Sequence, residues 1–161
     1  YLLDAAMIDR GIYKCVKAGS WVARNSGVKE YKGPKDGYEN LIPTDTRINN
    51  TLPKDYLEIN GKGNYKLSNG QYDYIIDEKG TIKMFLSQEG RTHATLARGK
   101  NVYGAGELQI NSGKVEWISN ASGHYQPGSV HHYSDYMNKL LKDYGIKKAK
   151  TFQYKNLDFE W

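Results

Sequence analysis

"GAGELQINSGKVEWIS", residues 104 to 119, alternates polar and apolar side chains on either side of a short Asn-Ser-Gly turn. Leu108 and Ile110 fall on one face and Glu107 and Gln109 on the other, the period-two pattern of a half-buried strand. The returning segment places Val115 and Trp117 on a common face, so the stretch reads as a hairpin. Upstream, "DYIIDEKGTIKMFL" (73–86) reads as a second hairpin turning around Gly80. "YKLSNGQYDYIID" (65–77) reads as a third, with Asn69 and Gly70 as its two-residue turn. The expectation is an antiparallel meander.

Helical signals lie outside these hairpins. "SVHHYSDYMNKLLKDYG" (129–145) is amphipathic: Tyr133, Met137, Leu140, Leu141 and Tyr144 share one face, with Ser129 as N-cap and Gly145 past the C-terminus. "YLLDAAMIDRG" (1–11) reads as a short helix ending at Gly11, and "AKTFQYKNLDFEW" (149–161) as a closing strand. Between about 18 and 64 the chain is rich in turns and holds Pro34, Pro43 and Pro53, three of its four prolines. A stretch so long without periodicity points to functional loops. The fold class is therefore α+β: an antiparallel sheet meander with a short N-terminal helix and an amphipathic helix near the C-terminus. One domain spans 1–161, helix and irregular loops over 1–64 and sheet plus terminal helix over 65–161.

Composition narrows the partners. The 161 residues carry a net charge of +5, which favours anionic partners such as RNA, a dinucleotide or an acidic protein. Fourteen tyrosines against three Phe and three Trp point to rings with a polar tip on a half-exposed sheet or binding face. Cys15 is alone, which excludes an internal disulfide framework and a paired-cysteine metal knuckle. No apolar run reaches the roughly 18 residues of a membrane span, and no DNA-specific motif is present. Tyr1 opens the chain without a signal-peptide pattern, and the expectation is a fragment from the end of a longer protein.

Two clusters carry candidate chemistry. "EGRTHATLARGKNVYGAGELQI" (89–110) brings Arg91, His93, Thr95, Arg98 and Lys100 close in sequence to Glu107. "NASGHYQPGSVHHY" (120–133) holds His124 and Tyr125 at a strand-to-helix junction, followed by His131 and His132. The adjacent pair points about 100° apart on a helix and cannot share one metal, and no HExxH accompanies it, so no metal site is expected. Histidines, a carboxylate and cations are what ribonuclease chemistry without a metal needs. His93 and His124 would divide the acid and base roles, and Glu107 would orient or replace one of them. Arg91 and Arg98 would hold phosphate, with Thr95 and Lys100 also on the substrate, and Tyr125 would stack on a base or support the site. The same residue types suit ADP-ribosyl transfer from NAD, with His93, Tyr125 and Glu107 or Glu160 in the key places. In a third reading the segment around "SGHY" is a structural turn of a binding module: His124 locks the turn on a backbone carbonyl and Tyr125 fills the core.

The run "HATLARGKNVYGAGELQINSGKVEWISNASGHYQPGSVHHYSDYMNKLL" (93–141) resembles the C-terminal toxin domains of bacterial polymorphic toxins, of the contact-dependent and Rhs types. A similar arrangement occurs in plant IQ-motif calmodulin-binding proteins. The shared features are a His followed by small residues, Ala-Gly before a strand, a hairpin, "SGHY", a proline and an amphipathic helix. Where the module has a hydroxyl-rich pair after the His, this chain has Ala94 and Thr95, which leaves a hydroxyl role to Thr95. The IQ motif itself is absent, so calmodulin binding is not implied. What the resemblance implies is a toxin tip of a larger secreted protein, acting in the cytoplasm of a target cell and neutralised by an acidic immunity protein. RNA is then the expected substrate with no cofactor, and NAD is the substrate in the alternative.

Overall fold

The computed structural model describes residues 37–127 and 131–155, the side chains of 131–133 excepted. The expected N-terminal helix, Cys15, Ser129 and Glu160 lie outside the described residues. The fold is α+β with few helices: the described residues form an open six-stranded sheet in the order β1 (Leu57–Ile59), β3 (Ile82–Leu86), β2 (Gly70–Ile76), β4 (Gly104–Asn111), β5 (Lys114–Ser119), β6 (Lys148–Lys155).

The alternation in 104–119 becomes β4 (Gly104–Asn111) and β5 (Lys114–Ser119), joined by the expected turn. β2 (Gly70–Ile76) and β3 (Ile82–Leu86) form the hairpin around Gly80. Its turn is held by the Asp77 carboxylate, which accepts from the backbone N–H groups of Lys79 and Thr81, both at 2.9 Å. Gly80 completes the reversal at φ +83°, where a side chain would be strained. β1 (Leu57–Ile59) adds antiparallel to β3. β4 lies antiparallel to β2 on its other side, so β2 has strands on both edges, and Tyr72 to Ile76 are all buried.

Three details depart from the expected meander. Asn69-Gly70 is not a hairpin turn: residues 60–69 form no strand leading into it, and Gly70 already belongs to β2. The Asn69 side chain instead accepts from the Ser112 N–H at 2.8 Å, tying this corner to the β4–β5 turn. Second, Val115 and Trp117 do not share a face. Ile110 pairs with Val115 and Gln109 with Trp117, so Glu116 is an extra residue, a bulge that reverses the alternation. Val115 and Ile118 enter the core while Trp117 takes the opposite face. Third, the last strand, β6 (Lys148–Lys155), runs parallel to β5, and the helix α2 (His131–Asp143) makes the crossover between them. A parallel neighbour requires such a crossover, and the helix supplies it.

The amphipathic reading of α2 holds where it is described. Met137, Leu140 and Leu141 are buried, Tyr144 is half-buried, and Gly145 at φ +72° ends the helix. These side chains form one apolar cluster with Tyr72, Tyr74, Met84, Leu108, Ile110, Val115 and Ile118. The sequence reading assigns no helix to "THATLA", yet a single buried turn, α1 (His93–Ala97), forms there. Thr92 caps it: its hydroxyl accepts from the Ala94 N–H at 3.1 Å, and the Thr95 hydroxyl accepts from the Thr92 N–H at 3.0 Å. α1 lies against β2 and β3.

Gly106 marks the closest approach in the sheet. A Cβ there would lie 1.8 Å from the Ser119 carbonyl oxygen, which also accepts the Tyr74 hydroxyl at 2.7 Å. Gly106→Ala is therefore expected to destabilise the fold by about 3 kcal/mol or more, since the atoms the new methyl would strike are backbone. Thermal denaturation should show a fall of roughly 6–12 °C, or a loss of soluble protein.

Candidate functional site

The sheet face opposite α2 carries the polar side chains, and the register sorts them into two rows. One row runs Phe85–Asp73–Glu107, with Ser119 and then Lys155 beyond. The next runs Gln71–Gln109–Trp117–Gln153. Asp73 is fully buried, Glu107 is 8% exposed, and Gln71 and Gln153 are open to solvent. Glu107 thus sits at the border between the covered and open parts of the face.

Two facing carboxyl groups in a dry environment compete for charge. Burial raises the proton affinity of Asp73, partly offset by nearby His93 and by Ser87, whose hydroxyl donates to Asp73 Oδ1 at 2.6 Å. Asp73 Oδ2 has no hydrogen-bond partner among the described residues. Burial and the Asp73 charge push Glu107 up to about 7, while Gln71 Nε2, donating to Glu107 Oε2 at 2.8 Å, acts the other way. The Ser119 hydroxyl holds the Glu107 backbone, accepting from its N–H and donating to its carbonyl at 3.2 and 3.3 Å.

The two candidate histidines are both fully buried. His93 Nε2 meets the Gly106 carbonyl at 2.6 Å, and since a carbonyl only accepts, this nitrogen carries the proton. Nδ1 is left without a partner among the described residues, and burial holds the ring's proton affinity below that of free imidazole despite Asp73. His124 Nε2 donates to Asp45 Oδ2 at 2.9 Å, again with Nδ1 unpartnered among the described residues. Burial pushes His124 down to about 4, the hydrogen bond to Asp45 opposing it. The clasp includes Arg47, whose Nε and Nη2 donate to Asp45 at 3.0 and 2.6 Å and hold its carboxyl well below the usual carboxylate range. His124 therefore binds a carboxylate side chain rather than the backbone carbonyl expected of a locked turn. Tyr125 is also fully buried and donates from its hydroxyl to the Lys100 carbonyl at 2.7 Å.

The expected phosphate-binding residues are engaged with the protein itself. Arg91 makes a two-pronged ion pair with Asp55 at 3.1 and 3.0 Å, donates to the Leu86 carbonyl, and lies 4.7 Å above the Phe85 ring. Arg98 donates to the Ile48 and Asn50 carbonyls. The Thr95 hydroxyl donates to the Arg47 carbonyl at 2.8 Å. Lys100 is exposed and lines a cleft of about 430 Å³ with Lys79, Lys83, Asp77 and Glu78, so positive and negative groups mix there. Of the expected set, Glu107 joins Asp73 in a carboxyl pair at the edge of an open face, with His93 buried beside Asp73.

Asp73, Ser87, Gln71 and Asp45 were not singled out from sequence. Asp73 carried a usable signal, a carboxylate inside the otherwise apolar and aromatic "YDYII". Asp45 carried none, since it lies 79 residues from His124.

Two stability measurements follow. Glu107 binds its proton more tightly folded than unfolded, so the neutral carboxyl contributes stability below about pH 4.5 that is lost as pH rises through about 7. Glu107→Gln should therefore gain on the wild type between pH 5 and pH 8, by on the order of 2 kcal/mol in urea unfolding. Asp45→Ala leaves His124 and Arg47 without their carboxylate and should cost about 2–3 kcal/mol at neutral pH, read the same way. No family model, no curated protein and no solved structure matches this chain, so its chemistry has to be read from the residues themselves.

Proposed function

We propose that this chain is a toxin domain that cleaves RNA by side-chain acid–base chemistry centred on Glu107. The observation that carries the reading is a carboxyl group pushed up to about 7 at the border of an open sheet face. A group with that proton affinity takes and releases protons near neutral pH, where an ordinary carboxylate is a poor base. Glu107 removes the proton of a ribose 2′-hydroxyl, and the oxygen attacks the adjacent phosphorus. The bond to the 5′-oxygen breaks, that oxygen takes a proton from water, and a 2′,3′-cyclic phosphate remains. Trp117 offers a ring for a base, with Lys155 Nζ at 4.3 Å from its centroid adding positive charge beside the phosphate.

Full burial keeps His93 and His124 from touching a substrate, so the proton role passes to Glu107 and the histidines become positioning residues. His93 anchors the Gly106 carbonyl one residue from Glu107, and His124 clasps the post-β5 turn to Asp45. ADP-ribosyl transfer fits less well, because a glutamate facing a positive sugar centre works best fully ionised. The wider setting, a secreted toxin tip acting in a target cell and restrained by an acidic immunity protein, rests on the resemblance of residues 93–141. Among the described residues no helix is long and apolar enough to cross a membrane.

The test is incubation of the purified domain with total RNA in EDTA and without NAD. Fragments with 2′,3′-cyclic ends are expected, with kcat/KM rising to a plateau above about pH 7 and at least a hundredfold loss in Glu107→Gln. Intact RNA with nicotinamide release from NAD would overturn the reading in favour of the transferase. Inertness toward both substrates would overturn it in favour of a binding module.

A further inference from the structure

A second polar concavity lies at the end of the sheet, away from Glu107. It encloses about 440 Å³ between the loop before β2, the β4–β5 turn and the loop after α2. Each of these segments contributes one lysine: Lys66, Lys114 and Lys147. No aspartate or glutamate lines the cleft, and none of the three ammonium groups is ion-paired with a described residue. Three lysines around one cleft, with no carboxylate among its lining residues, favour an anion between them.

The remaining walls add specificity. The Tyr65 ring stands half-buried at one side, its hydroxyl anchored on the Gly61 carbonyl, which fixes the orientation of the ring. Leu67 and Ile146 are nearly buried and give the cleft an apolar base. Ser68 and Ser112 bring hydroxyl groups. Gly113 of the β4–β5 turn brings no side chain to the lining. An oriented aromatic ring beside a cluster of lysines is the pairing that holds single-stranded nucleic acid, the ring stacking a base and the cations neutralising its phosphates.

We propose that the Lys66–Lys114–Lys147 cleft binds a phosphate-bearing segment of single-stranded RNA, with one base stacked on Tyr65. The inference rests on the RNA reading of the Glu107 face and adds a contact for the strand remote from the reacting bond. β4 separates the two places by the four residues from Glu107 to Asn111, about 14 Å of strand. A chain of a few nucleotides passing around the end of the sheet spans that distance.

The experiment measures binding of a fluorescent 2′-O-methyl oligonucleotide, which cannot be cleaved, by anisotropy across a salt series. Lys66→Gln/Lys114→Gln/Lys147→Gln should weaken binding at least tenfold at low salt and flatten the slope of log K against log salt by about 2. Tyr65→Leu should weaken binding about tenfold and leave the salt slope unchanged, the signature of lost stacking. Unchanged affinity and slope in the triple variant would overturn the proposal. So would a cleft that ignores the oligonucleotide but binds polyglutamate through the same lysines, which would mark it as a site for an acidic protein. Lysine-dependent binding by a domain that leaves RNA intact would sink the nuclease reading and leave the cleft standing. Cleavage through Glu107 with binding indifferent to the lysines would do the reverse.

Discussion

Asp73 and Glu107 face each other across β2 and β4, and this pairing of carboxyl groups is the constraint around which the polar half of the molecule is arranged. Like charges directly opposite in a sheet destabilise it, and more so when water is excluded. The neighbours each relieve part of that cost. Ser87 donates to Asp73, Gln71 donates to Glu107, and His93 lies near Asp73 while its own N–H is spent on the Gly106 carbonyl. Each carboxyl group still holds its proton more tightly than it would in water. Apolar residues of similar size at these two positions would make the sheet more stable.

The rest of the fold presents this pair at one border. β2 and β4, each bonded on both edges and each buried through five consecutive residues, form the middle of the sheet. α1 covers the face on the side toward Ile75 and Ala105, while the row from Gln71 to Gln153 stays more open. The His124–Asp45–Arg47 clasp then ties the turn after β5 to the loop that precedes β1. Long loops in this chain are thus held by buried ionic and hydrogen-bonded contacts rather than by regular structure.

Much of this arrangement was legible in the sequence. The alternation in β4, the turn at Gly80 and the apolar stripe of α2 each follow from local periodicity, and each formed. What escaped the reading depends on single residues or distant partners. One extra residue, Glu116, reverses the face of everything after it, and no pattern of hydrophobicity announces a bulge. The parallel placement of β6 depends on how α2 crosses the sheet, and the period of β6 itself is the same for either direction. At the candidate site the sequence supplied the right residue types but not their engagement. Arg91 looked available for phosphate until Asp55, 36 residues away, proved to hold it.

β6 also has a bearing on how copies of this chain behave together. It ends the row of described strands, with no described strand along its outer side. Such a border invites a foreign strand to add itself. Lys148, Lys150 and Lys155 stand exposed along β6, and a second β6 laid alongside would bring two sets of ammonium groups together. The charge that makes the protein basic therefore also guards its sheet against growing into an aggregate.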